Sequence, residues 1–78
     1  MNSTTEEHVV EQAGEIVTVE NHGSIVLVML RSEQGWLIPV PFDYRPFTWL
    51  LDAEGCQPAD LIGRQASYDG DGNFKFLD

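Results

Sequence analysis

Seventy-eight residues are enough for one domain and no more, and a chain of this length buries only about 60% of the surface that its unfolded form exposes. Four basic against thirteen acidic side chains leave a formal charge of −9, a field that repels phosphate backbones and argues against direct nucleic-acid binding. The hydrophobic share of 42% suits a folded protein, but the longest uninterrupted apolar run, IVLVML at residues 25–30, is far short of the roughly 20 residues of a membrane helix.

The first stretch, MNSTTEEHVVEQA, is polar and acidic, and only Val9 and Val10 offer a helix anything to bury. Residues 1–13 therefore read as a flexible acidic arm before a single β-rich domain over 14–78. From Gly14 the pattern changes. EIVTVE carries β-branched residues, NHG supplies turn chemistry, and SIVLVMLR follows as a second apolar strand, so a hairpin is expected. Because positions 25–30 are apolar throughout, both faces of that strand are expected to be covered, as in the centre of a barrel.

After SEQG comes WLIPVPF, in which the period of two puts Trp36, Ile38, Val40 and Phe42 on a core face and Leu37, Pro39 and Pro41 on the other. Pro39 and Pro41 remove two backbone donors from one lateral side, which predicts a sheet edge or a barrel opening. DYRPFTWLLDAEG then switches to helical spacing. Asp43 is placed to cap, Pro46 falls in the first turn, Tyr44, Phe47, Leu50 and Leu51 form one stripe, and Gly55 is placed to terminate the helix. At about 100° per residue, Trp49 lies nearly opposite Phe47 and away from that stripe. QPADLIG reads as a second helical turn that docks Leu61 and Ile62. Residues 64–69 and 73–77 read as two last strands, with Ala66, Tyr68, Phe74 and Phe76 inward.

The expected fold is α+β and mainly β: five strands and one short helix in the order β-β-β-α-β-β, forming a small barrel or a strongly curled antiparallel sheet, OB-like or SH3-like. Such folds host unrelated activities, so function has to be argued from side chains.

YDGDGNFKF spaces Asp69, Asp71 and Asn73 like the start of a calcium loop, yet the sixth position counted from Asp69 is Phe74 where glycine is required, and the twelfth lies beyond Asp78. Gly70 and Gly72 point to a tight hairpin instead, and no metal is expected. His8, His22 and Cys56 are far apart and lack paired-ligand spacing, so neither a zinc site nor a Cys56–His22 dyad is expected. A lone cysteine forms no internal disulfide, which fits a reducing cytoplasm, and Cys56 reads as a half-buried loop thiol. Asp43 and Asp52 are the carboxylates with apolar neighbours, but capping accounts for Asp43. No catalytic residue and no cofactor is assigned, and a small enzyme ranks last among the readings.

What is left is surface. Trp49, flanked on its side of the helix by Arg45, Pro46 and Ala53, has the composition of a binding hot spot if it is exposed, the equal alternative being that CQPADLI or the N-terminal arm covers it, and the edge at Pro39 and Pro41 offers a second contact. The expected function is a non-catalytic interaction module for a protein partner or for its own copy, in the cytoplasm and away from membranes. The alternative is an acidic inhibitor or decoy of a basic nucleic-acid-binding protein or nuclease, motivated by the charge and the acidic first twenty residues.

Overall fold

The computed structural model describes residues 12–78. In chain order it contains β1 (Gln12–Asn21), β2 (Ile25–Arg31), β3 (Leu37–Asp43), α1 (Tyr44–Glu54), a 3-10 turn (Pro58–Leu61), β4 (Gln65–Tyr68) and β5 (Phe74–Phe76). The arm expected over 1–13 lies outside the described residues except for Gln12 and Ala13, which already belong to β1 and pair with Tyr68 and Ser67.

All five strands form one antiparallel sheet in the order β3-β2-β1-β4-β5. β1 serves two neighbours. Its first part, Gln12 to Glu15, pairs with β4, and its second, Glu15 to Asn21, pairs with β2. The register slips at Val17: Ile16 faces Leu30, but Thr18 faces Met29. A residue inserted on one strand reverses the inside-outside alternation beyond it and sharpens the twist. Ile16 and Val19 consequently both reach the core although they are three apart, while Thr18 stays exposed. Just before the slip, Gly14 is buried against β2, and a β-carbon there would stand 2.6 Å from the carbonyl oxygen of Arg31.

The core is built from Ile16, Val26, Val28, Leu30, Ile38, Val40, Phe47, Leu61 and Ala66. α1 contributes Phe47, with Leu50 and Leu51 half-buried beside it, and Gly55 ends the helix in the left-handed region at φ 66°. Asp43 occupies the cap position, yet its side chain bonds no helix N–H; the N–H of Tyr44 is taken by the carbonyl of Ser24. In the 3-10 turn the Asp60 carboxylate accepts from the N–H of Gln57 at 2.9 Å and Leu61 is sealed beneath it. Ile62, expected to dock beside Leu61, points outward instead, because the turn ends there and the chain extends toward β4.

The sheet is open, which corrects the expectation of a barrel. β3 and β5 are its two edges, and no backbone ladder joins them among the described residues. The reason lies in β3. The N–H of Tyr44 bonds Ser24, and the carbonyl of Trp36 accepts from Ser32 at 2.9 Å, so even-numbered residues direct their backbone groups toward β2 and odd-numbered ones direct them outward. Pro39 and Pro41 thus remove the two central donors from the free side, and the opposite edge, β5, has only three residues to offer. Side chains bridge the opening. Phe42 of β3 meets Phe74 of β5 edge-on at 5.2 Å between ring centroids, with Phe47 5.7 Å from Phe42 and Phe76 5.3 Å from Phe74.

An open sheet also leaves β2 covered on one face only. Val26, Val28 and Leu30 are buried, whereas Leu27 and Met29 are half-buried and Ile25 is exposed. Coverage of both faces, expected from the unbroken apolar run, is not found.

Candidate docking surfaces

Trp49 is 65% exposed, on the side of α1 opposite the buried Phe47. Arg45, Pro46 and Ala53 are exposed on the same helix, one turn before and one turn after the indole, so helical geometry brings together the residues named from spacing. Phe47 anchors the inner side, Thr48 donates its hydroxyl to the carbonyl of Arg45 at 2.8 Å, and Pro46 sits in the first turn, where a backbone N–H would have no partner within the helix. The outer side presents an indole, a guanidinium and two small apolar residues to whatever approaches.

Pro39 and Pro41 are exposed as expected, but they belong to a larger surface. The pairing registers set three rows across the outer face of β1, β2 and β3: Glu20, Leu27 and Pro41; Thr18, Met29 and Pro39; Glu15, Arg31 and Leu37. Five of these nine are apolar and form a strip along β2 and β3. Trp36 adjoins it with 72% of its surface exposed, which overturns its place in the core set. The alternation of β3 starts only at Leu37. Trp36 is a turn residue, held by its N–H to the hydroxyl of Ser32 at 3.1 Å and by its carbonyl to the N–H of Ser32. Beside it an open groove of about 590 Å³ is lined by Trp36, Leu37, Ile38 and Pro39 with Gln12 and Ala13 opposite.

No family model, curated protein or solved structure matches the chain.

The titratable groups displaced from their ordinary values are occupied in holding the fold. Hydrogen bonds from Asn73 and from the N–H of Asp71 hold the Asp69 carboxyl below its usual range. Those bonds staple the turn that Gly70 and Gly72 make possible with φ of 87° and 97°, so the calcium-like spacing serves a hairpin. Arg64 is the second such centre. Its guanidinium bonds Asp78 at 3.0 and 3.1 Å and Glu54 at 2.9 Å, and it lies 3.9 Å over the ring of Phe76. The bonds to Asp78 and Glu54 raise the pKa of Arg64, and the Arg64 bond depresses that of Asp78. This clamp ties the end of α1 to the segment after β5. Sequence spacing held no sign of it, since its four members are spread over residues 54–78.

The other candidates for chemistry are not brought together into a site. His22 is exposed in the β1–β2 turn with its ring 3.0 Å from Glu20. Cys56 is half-buried and packs against the core after α1, and His8 lies outside the described residues. Among the described residues no three His, Cys, Asp or Glu side chains are grouped so as to hold a metal ion.

Proposed function

We propose that the chain is an acidic, non-catalytic interaction module that docks on a protein partner through the outer side of α1, with Trp49 as the anchor and Arg45, Pro46 and Ala53 around it. The observation that carries this reading is the opposition of Phe47 and Trp49: one helix sends one aromatic residue into the core and leaves the other, at 65% exposure, in water. An exposed tryptophan bounded by arginine and small residues is the composition that carries most of the energy in protein interfaces. The structural duties of Asp69, Asp78 and Arg64 support a non-catalytic role, because the groups with displaced titration are already engaged within the fold.

The charge of −9 favours a second reading, an acidic decoy that occupies the basic site of a nucleic-acid-binding protein or nuclease. The two separate on one comparison. Partners that co-purify with the tagged chain are identified, and their affinities are measured for the wild type, for Trp49→Ala and as a function of salt. A module docking through the indole loses affinity at least tenfold in Trp49→Ala with a modest salt slope, whereas a decoy keeps its affinity in that variant and weakens steeply between about 50 and 300 mM salt. A chain that stays monomeric in light scattering, and whose Trp49→Ala variant retains every partner at wild-type affinity, refutes the docking reading.

A further inference from the structure

The strip on the outer face of β2 and β3 is a separate surface from the Trp49 side of α1, and its chemistry is specific enough to name an occupant. Leu27, Met29, Leu37, Pro39 and Pro41 make it apolar over roughly 13 Å, the rise of the five residues from Leu37 to Pro41. Along β1 it is bordered by Glu20 and Glu15, and at the α1 end by Asp43, the cross-strand partner of Ile25. The single cation within the rows, Arg31, is already 3.3 Å from Glu15. Glu15 shares its charge with Arg31 and Glu20 lies 3.0 Å from the ring of His22, but three carboxylates against one guanidinium leave the border net acidic, which suits a cationic occupant.

Two other occupants fit this face poorly. A strand extends the sheet poorly here, because Pro39 and Pro41 remove the two central donors from the free side of β3 and leave only those of Leu37 and Asp43 at its ends. A second copy would set Glu15, Glu20 and Asp43 against the same acidic border and bring two charges of −9 together. A helix satisfies its own backbone, lays one apolar stripe on a flat face, and can place cations to either side.

We propose that the outer face of β2 and β3 is a docking site for a cationic amphipathic helix of a partner protein, seated on Leu27, Met29, Leu37 and Pro39 with its basic residues over Glu15 and Glu20. Glu15 and Glu20 are roughly 15 Å apart along β1, so the matching cations sit about ten residues apart on the helix, near three turns. Trp36 closes one end of the seat.

The test uses the full chain and two synthetic 18-residue helical peptides with the same leucine stripe, one with lysine and one with glutamate on the polar side. Calorimetry is run on the wild type, on the Met29→Ser/Leu37→Ser double variant and on Trp49→Ala, with melting curves confirming that each variant folds. The lysine peptide is expected to bind the wild type and Trp49→Ala alike, to lose at least tenfold in affinity to the double variant, and to weaken as salt rises. The glutamate peptide is expected not to bind. Equal binding of the lysine peptide to the wild type and the double variant overturns the proposal, as does equal binding of the two peptides. Light scattering that shows a dimer which the double variant dissolves overturns it in favour of a second copy. Because Trp49→Ala reports on the α1 surface and Met29→Ser/Leu37→Ser on the sheet, failure of one reading leaves the other standing.

Discussion

Replacing Gly14 with alanine tests the packing of β1 directly. The added methyl would stand 2.6 Å from the carbonyl oxygen of Arg31, 2.8 Å from its carbonyl carbon and 3.2 Å from its nitrogen, where ordinary contact begins at 3.4 Å. All three atoms are backbone, so no side chain can swing aside, and β1 and β2 must separate by about 0.8 Å at a point where β1 is also paired with β4 through Ala66. Overpacking of this kind costs about 1 to 3 kcal/mol, and the stiffer unfolded chain that alanine brings returns about 0.4 to 1 kcal/mol. A net loss of about 1 to 2 kcal/mol lowers the melting temperature by roughly 4 to 16 °C in a domain of this size. Circular dichroism melts of Gly14→Ala and Gly55→Ala read the effect against a control. Gly55 has nothing within 4 Å of its would-be β-carbon, so its substitution carries only the left-handed backbone penalty of about 1 to 2 kcal/mol and no clash. A Gly14→Ala protein that melts at or above the wild type would refute the close approach of β1 to Arg31.

Acid should loosen the turn and the clamp together. Asp69 and Asp78 have folded-state pKa values below those of the unfolded chain, so the stability they contribute is complete above the ordinary carboxylate value near 3.8 and is lost as pH falls through the depressed values. Melting temperature measured from pH 6 down to about pH 2 is expected to fall chiefly below pH 4, and less so in an Asp69→Asn/Asp78→Asn double variant; an identical acid profile for the two proteins would sink the assignment. Restoring donors to the free side of β3 should make that edge adhesive. Pro39→Val/Pro41→Val is expected to form larger species in light scattering at concentrations where the wild type stays clear, and a variant as soluble as the wild type would show that the prolines do not guard the edge.

Local pattern carried the elements well, because each rests on neighbours in the chain. The helix is legible from Phe47, Leu50 and Leu51 with Gly55 after them, the β1–β2 hairpin from the turn at residues 22–24, and the last hairpin from Gly70 and Gly72. What failed depended on where strands end and on what lies beside them. Trp36 continues the alternation of Ile38 and Val40 on paper, but the Ser32 hydroxyl captures its N–H one residue before the ladder starts. The apolar run of β2 looked like a strand buried on both faces, and it instead supplies Val26, Val28 and Leu30 to the core and Leu27 and Met29 to a surface. Sheet closure turns on pairing between residues more than thirty positions apart, and local spacing is blind to it. For the surfaces, helical phase gave the side of Trp49 and the period of two gave the shared face of Leu37, Pro39 and Pro41, whereas Leu27 and Met29 joined that face only once the registers of β1, β2 and β3 set the side chains in rows.

The extra residue at Val17 has a consequence for how this chain tolerates change in length. If Val17 were deleted, Ile16 and Val19 would still face inward and Thr18 outward, now by plain alternation, so every neighbour would keep its present side. Most single deletions in a strand exchange inside for outside; this one would exchange only curvature, relaxing the bend that lets the first half of β1 lean toward β4. Position 17 is thus where the ribbon's bend can be tuned without rewriting which residues are wet and which are dry.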